Sequence, residues 1–168
     1  MSEQITDRLV ATSGAHQFLT FALGQEEYGV EILKIQEIKG YSAITPLPNT
    51  PPYVKGVLNL RGTIVPIVDL RKKFGLPEVE HNQFTVIVVV QVQGKIMGFI
   101  VDGVSDVLSV TGADIQPTPD LHGQVDTSFL NGLAKAGEKL VILLDIDKVL
   151  TAGEAVAAAQ AAAEAARN

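Results

Sequence analysis

Four aspartates are the side chains of this sequence best suited to chemistry. Asp102 and Asp106 lie four positions apart, and Asp145 and Asp147 form a DxD motif. Paired carboxylates can bind a hard cation or serve as a general acid and a general base. Each pair begins or ends a predicted strand, where aspartate also caps turns, so we interpret all four as structural residues. A small hydrolase that uses these aspartates is the alternative from another class of function.

The other candidates for catalysis lack a supporting pattern. The histidines His16, His81 and His122 lie far apart and show no metal-ligand spacing, so we expect them at the surface. Ser105 lies in GVSDV, which lacks the second glycine of a nucleophile elbow, and we expect a turn there. The chain has no cysteine and no glycine-rich phosphate-binding motif. We therefore predict a non-enzymatic protein without metal or cofactor.

A cation at a predicted hairpin tip is the main sign of a binding surface. Arg61 lies in the segment NLRG, after Asn59 and before an apolar run. A rigid hairpin would hold this charge in solvent, either as a turn residue or as a contact for a partner. Glu37 is a possible counter-charge, for Arg61 or for a ligand.

Charge and hydropathy limit the classes of partner. The net charge is -6 and the sequence pI is about 5.0, which opposes electrostatic binding to nucleic acid or to an anionic membrane. No apolar run approaches the roughly 18 to 20 residues that span a bilayer. The polar segment from Met1 to Gly14 does not resemble a signal sequence. These features predict a cytoplasmic protein.

The first part of the chain predicts short strands and one helix. Alternating apolar residues indicate a strand over Gln17 to Leu23, and the pattern resumes over Tyr28 to Val30. Isoleucines at near three-residue spacing predict a short helix over Glu31 to Lys39, ended by Gly40. A proline-rich extended connection follows.

The next elements have clear end signals. Strands are predicted over Tyr53 to Leu60 and Thr63 to Asp69, joined by a turn at Arg61 and Gly62. Asp69 then caps a one-turn helix, Leu70 to Phe74, which Gly75 ends. The nearly continuous apolar run from Phe84 to Val92 predicts a strand that is buried on both faces where two modules meet.

The C-terminal segment predicts a helix of a different kind. Thr151 and Glu154 form a capping-box pattern. Nine alanines follow within residues 155–168, and alanine has the highest helix propensity. Because few of these side chains are large, we expect the helix to bury little area and to fray.

An internal repeat organises the whole chain. A shift of 76 positions aligns Asp69 with Asp145, and a shift of 69 aligns Glu37 with Asp106. Two copies of a β-rich unit of about five strands follow, and units of this size are typical of small closed barrels. Further aligned pairs are Tyr53 with Phe129, Gly56 with Gly132, Ile64 to Leu70 with Leu140 to Ile146, Tyr28-Gly29-Val30 with Met97-Gly98-Phe99, Ile32 with Val101, Ile35 with Val104 and Ile38 with Val107.

We accordingly predict four segments. These are a flexible N-terminus (residues 1–16), a first β-barrel (residues 17–80), a second β-barrel (residues 81–150) and an alanine-rich helix or tail (residues 151–168). Strands can be exchanged between the two barrels in such a duplication.

Three long segments resemble the CheW family of chemotaxis coupling proteins. They are FALGQEEYGVEILKIQEIKG, TPLPNTPPYVKGVLNLRGTIVPIVDLRKKFG and VDGVSDVLSV, and the resemblance spans Gln17 to Leu150. It implies an all-β fold of two pseudo-symmetric five-stranded SH3-like barrels that share a hydrophobic interface. It also implies an adaptor without catalytic activity that couples methyl-accepting chemoreceptors to the histidine kinase CheA. Such a protein is cytoplasmic, is recruited to membrane receptor arrays, is a monomer alone and assembles into rings with CheA.

The resemblance also implies two binding surfaces. A groove between the barrels would bind the cytoplasmic tips of chemoreceptors, and a second surface would bind the regulatory domain of CheA. A coupling protein of a related, pilus-motility type of array is the alternative within the family. The implied receptor-binding residues are Ile35, Glu37, Gly56, Asn59, Arg61, Val104 and Val107, and the implied kinase-binding residues are Lys55, Gln116, Asp120 and Leu121.

Overall fold

The computed structural model describes residues 16–116 and 130–167. Within these ranges no helix is long and apolar enough to cross a membrane. The strands are β1 (His16–Leu23), β2 (Glu26–Glu31), β3 (Ile35–Gly40), β4 (Val54–Leu60), β5 (Thr63–Asp69), β6 (Val86–Val92), β7 (Lys95–Val101), β8 (Gly103–Val110), β9 (Ile115–Gln116), β10 (Leu130–Ala136) and β11 (Lys139–Leu144). The α-helices are α1 (Leu70–Lys73), α2 (Ile146–Val149) and α3 (Ala152–Arg167), and single 3-10 turns span Ile32–Lys34 and Gly112–Asp114.

The strands form two sheets. The first has the order β8-β1-β2-β11-β10-β9, and the second has the order β3-β6-β7-β5-β4. Neighbouring strands are antiparallel except for β2 with β11 and β5 with β7, which are parallel. The predicted all-β class of two SH3-like units is confirmed, and the two-residue β9 adds a sixth strand to the first sheet.

The same contacts recur in both sheets at positions that the internal repeat aligns. The parallel pairing places Gly98 opposite Ile67 in one sheet and Gly29 opposite Leu143 in the other. A Cβ atom on Gly98 would lie 2.7 Å from the Ile67 side chain, and one on Gly29 would lie 3.1 Å from that of Leu143. Each glycine therefore allows the same close packing in its own sheet.

The aligned aspartates also adopt the same structure. The Asp69 carboxylate accepts a hydrogen bond from the Arg71 amide at 3.0 Å, and that of Asp145 accepts one from the Asp147 amide at 3.1 Å. Each aspartate thus caps the short helix that follows its strand. The predicted cap at Asp69 is confirmed, and helix α1 ends within one residue of its predicted end.

Each sheet combines strands from both halves of the sequence. Strands β1 and β2 lie with β8 to β11, whereas β6 and β7 lie with β3 to β5. The first two strands of one repeat thus complete the sheet formed by the last strands of the other. The division of the chain into barrel subdomains at residues 17–80 and 81–150 stays a prediction.

Strand β6 lies between two hydrophobic clusters. Val88 and Val90 belong to a cluster that both sheets share with the helices, and Ile87 and Val89 belong to a cluster confined to the second sheet. Because successive side chains point to opposite faces, both faces of β6 are covered. This explains the continuous apolar run, although Phe84 precedes the strand and is 65% exposed.

The predicted helix over residues 31–39 is wrong beyond its first turn. After the 3-10 turn, the chain continues as strand β3, which pairs with β6. Gln36 is an extra residue in this pairing, since Ile35 faces Val90 and Glu37 faces Val89. This β-bulge separates Ile35 from Ile38 by three positions on one strand, which imitates helical spacing.

The expected turn at Ser105 is wrong for the same physical reason. Ser105 is the extra residue of a bulge in β8, because Asp106 faces Thr20 and Val104 faces Phe21. Gly103, the glycine of GVSDV, begins this strand.

The C-terminal helix α3 packs more closely than its composition suggested. The capping box is confirmed, since Thr151 and Glu154 exchange hydrogen bonds of 2.8 and 3.1 Å. Ala155 and Ala158 are fully buried against the shared core, and Lys73 of α1 donates to both carboxylate oxygens of Glu154 at 2.8 Å. The small side chains let the helix backbone approach the sheet, and the area that the helix buries stays a prediction.

Candidate functional site

The most prominent charged feature at a strand edge is an ion pair between Glu37 and Arg61. Glu37 lies on β3, which is an edge strand of the second sheet. The Arg61 guanidinium pairs with the carboxylate through Nη2, and its Nη1 lies 3.4 Å from Oε2. Of the two roles considered for Glu37, the structure shows the pairing with Arg61. Arg61 remains open to solvent, since 74% of its side chain is exposed.

The turn between β4 and β5 holds Arg61 in this place. Arg61 and Gly62 have φ angles of 52° and 90°, the backbone signature of a two-residue hairpin turn. The Asn59 side chain accepts a hydrogen bond from the Gly62 amide at 2.8 Å. Asn59 therefore stabilises the turn, and the segment NLRG holds the positive charge of Arg61 at a fixed position.

The ion pair also fixes its own charge state. Hydrogen bonding and charge attraction from Arg61 hold the pKa of Glu37 below its usual range. Glu37 correspondingly raises the pKa of Arg61. The pair stays ionised at neutral pH, so it presents a fixed dipole at the edge of the sheet.

Exposed or half-buried apolar side chains lie on the same strand as Glu37 and on the repeat-related edge strand β8. Ile35 is half-buried against the shared core, whereas Ile38 is 45% exposed. On β8, the edge strand of the first sheet, Val104 and Val107 are 37% and 44% exposed. Sequence reasoning named three of these residues and missed Ile38, although the repeat aligns Ile38 with the nominated Val107.

Gly56 has a demanding role within the fold. It lies at a bulge between β4 and β5 with a φ of 153°. A Cβ atom there would lie 2.1 Å from the backbone oxygen of Thr45. Gly132 repeats this arrangement with a φ of 141° and a Cβ position 2.7 Å from the Gln116 oxygen. Gly56 therefore permits the close approach of the Thr45 backbone of the same chain. Its contact with a receptor stays a prediction.

The nominated kinase-binding residues have partners other than Glu37 and Arg61. Lys55 of β4 pairs with Glu78 at 3.5 Å, and Lys72 contacts the same Glu78 oxygen at 3.0 Å. Gln116 is exposed on β9. Asp120 and Leu121 lie outside the described residues.

The aspartates considered for catalysis mostly have structural partners. Asp102 accepts hydrogen bonds from Arg71 at 2.8 and 2.6 Å and from the Gly24 amide at 2.8 Å. Asp147 accepts hydrogen bonds from Lys34 at 3.1 Å and the Gln93 amide at 2.8 Å. Burial alone would raise the pKa of Asp102, but the hydrogen bonds outweigh it and lower the pKa.

The two described histidines, His16 and His81, show no sign of a metal centre. His16 and His81 are exposed, and the His81 ring stacks on Tyr41 with 4.1 Å between centroids. His122 lies outside the described residues. Across residues 16–116 and 130–167, no group of three or more histidines and acidic residues could hold a metal ion.

Comparisons with known proteins agree with this architecture. A family model described as the CheW-like domain matches residues 17–154. A chemotaxis protein CheW from Klebsiella aerogenes is 47% identical over 147 residues, which cover 88% of this chain and 89% of the relative. One from Rhizobium meliloti is 39% identical, with 88% and 95% covered. The crystal structure of the scaffolding protein TtCheW from Thermoanaerobacter tengcongensis superposes with a TM-score of 0.75 at 32% identity, covering 83% of this chain and 90% of that one.

Proposed function

Because this chain belongs to the CheW-like domain family, we propose that it joins chemoreceptor tips to the regulatory domain of the histidine kinase CheA. The function is that of a chemotaxis coupling adaptor, in a family of adaptor and scaffolding proteins. Catalysis has no part in the proposal. The proposed place of action is the cytoplasmic side of membrane receptor arrays.

The observation that carries the receptor contact is the exposed Glu37–Arg61 pair beside apolar side chains. A partner that covers Ile38 gains burial of apolar area, and the fixed charges of the pair determine its register. The receptor-binding surface proposed here contains the seven nominated residues together with Ile38. Asn59 and Gly56 contribute to it by shaping the hairpin that carries Arg61.

We propose a separate kinase contact that includes Lys55 of the second sheet and β9 of the first sheet. Lys55 is partly exposed and already neutralised in part by Glu78, so an acidic partner would have to compete with that carboxylate. The segment from Gln116 to Leu121 completes this proposed surface. Two separate surfaces are what an adaptor needs if receptor and kinase are bound together.

Each contact is expected to be weak alone. Transient signalling interfaces often bury less than about 1,200 Å². Multivalent rings of adaptor and kinase then supply strength without permanent pairwise binding.

The test is co-elution of the chain with a receptor cytoplasmic fragment and the CheA regulatory domain. The unaltered chain should join both proteins in one complex. Arg61→Ala should weaken receptor binding by about tenfold while leaving kinase binding unchanged.

Lys139→Ala is a matched control for Arg61→Ala. Lys139 begins β11 beside the other hairpin turn, is 76% exposed and pairs with Glu27 at 3.6 Å. It should bind the receptor fragment as the unaltered chain does. An equal effect of both substitutions, or none of either, would remove the receptor surface from the proposal.

A further inference from the structure

The edge strand β8 repeats the surface of β3 with one difference in charge. Both strands are outer strands of their sheets, and both contain a bulge at the same repeat position. Their exposed apolar residues and their single carboxylate follow in the same order. The aligned residues are Ile35 with Val104, Gln36 with Ser105, Glu37 with Asp106 and Ile38 with Val107.

The difference is the cation. Arg61 neutralises Glu37, but the shift of 76 residues that aligns the hairpins places Gly137 where Arg61 stands. Asp106 is exposed and accepts a hydrogen bond from the Val107 amide at 2.8 Å. Within the described ranges no lysine, arginine or histidine lies within ion-pair distance of Asp106.

We propose that Asp106 receives a lysine or arginine side chain from the receptor tip, and that this contact makes the two halves of the docking surface non-equivalent. The inference rests on the proposed receptor-binding function and adds a residue to it. A partner with two similar faces would otherwise fit the two like edges in either direction. Because Glu37 is neutralised and Asp106 is not, the two edges differ in charge and a partner can bind in only one orientation.

The surroundings of Asp106 favour a cation on the partner. The pairing with β1 directs Val104 and Val107 to the face of Phe21 and Leu19, and Asp106 to the opposite face. A partner that covers the outer edge of β8 would contact all three and remove water from the carboxylate. A carboxylate that loses water without gaining a positive charge or a donor opposes binding. A basic side chain that faces Asp106 avoids this cost. A partner with an acidic side chain at the same place would be repelled by the carboxylate.

The experiment changes the charge while keeping the hydrogen bond. Asp106→Asn retains the oxygen that accepts from Val107, and Asp106→Lys reverses the charge. Glu80→Gln is the matched control, because Glu80 is exposed and has no ion-pair partner among the described residues. Binding of a receptor cytoplasmic fragment is titrated at several salt concentrations for the four proteins.

We expect Asp106→Asn to weaken binding about two- to fivefold at low salt, as for a partly exposed ion pair, and Asp106→Lys to weaken it further. The dependence of binding on salt should become shallower for Asp106→Asn and stay unchanged for Glu80→Gln. If the unaltered chain binds and both Asp106 variants bind equally well at every salt concentration, this inference is overturned alone. If the unaltered chain does not bind the fragment at all, the proposed function fails with it.

Discussion

Replacement of Gly56 by alanine should destabilise the fold far more than its small size suggests. The new Cβ atom would lie 2.1 Å from the Thr45 oxygen and 2.9 Å from the Ile44 side chain. The φ of 153° adds backbone strain of about 1–3 kcal/mol. Thr45 and Val57 exchange hydrogen bonds of 3.0 and 2.9 Å, and their loss adds about 1 kcal/mol each.

These contributions predict that Gly56→Ala lowers the free energy of unfolding by about 3–5 kcal/mol. Gly132→Ala should cost less, because its nearest atom, the Gln116 oxygen, is 2.7 Å away. Gly62→Ala is the control, since its φ is 90° but no atom lies within 4 Å of the Cβ position. It should lose only about 1–2 kcal/mol from strain.

Urea denaturation followed by circular dichroism measures all three differences. The predicted order of destabilisation is Gly56→Ala, then Gly132→Ala, then Gly62→Ala. Equal losses for Gly56→Ala and Gly62→Ala would refute the steric argument. Any loss of receptor binding by Gly56→Ala should then appear together with a loss of folded protein.

Other substitutions test the remaining parts of the account. Arg71→Met should lower the free energy of unfolding at pH 7 by about 1–3 kcal/mol, because it leaves the Asp102 carboxylate partly buried without its cation. Because the pKa of Asp102 is lowered in the folded state, its charged form stabilises the unaltered protein at pH values above the ordinary carboxyl pKa of about 4. This stabilisation is lost as the pH falls through the lowered pKa. Denaturation from pH 7 to pH 3 should therefore show a flatter acid dependence for Arg71→Met. Ala158→Leu should cost about 1–3 kcal/mol by overpacking the fully buried contact of α3, whereas the exposed Ala163→Leu should leave the urea midpoint unchanged.

Much of the fold could be predicted from local signals. The hairpin of β4 and β5 and the helix cap at Asp69 depend on short patterns of glycine, aspartate and alternating apolar residues. The repeat predicted two like units because aligned glycines and aspartates occupy the same backbone positions in both. The hairpin and the helix cap depend on residues near one another in sequence, and the repeat depends on a comparison of two stretches of the same chain.

The errors came from contacts between distant segments. Strand β3 was predicted as a helix because the bulge at Gln36 and the pairing with β6 are invisible in a single segment. Packing of α3 depends on how closely alanines approach the sheet, which composition does not reveal. Exchange of strands between the repeats was an option in the sequence, and only the pairing of distant segments shows which strands are exchanged.

The candidate site was predicted less completely than the fold. The Glu37–Arg61 pair could be suspected from charge and turn position, but its geometry depends on the neighbouring edge strand. Ile38 was missed because the spacing of the isoleucines predicted a helix, whereas the residue is 45% exposed on an edge strand. Its alignment with Val107 was the available signal.

Receptor control of kinase activity is the most direct measurement of the central claim. CheA autophosphorylation is followed with receptor-containing vesicles and stimulus, in the absence and presence of the chain. We predict that the response to stimulus requires the chain, that Arg61→Ala loses most of it and that Lys139→Ala retains it. Equal receptor control of the kinase with and without the chain would contradict the account.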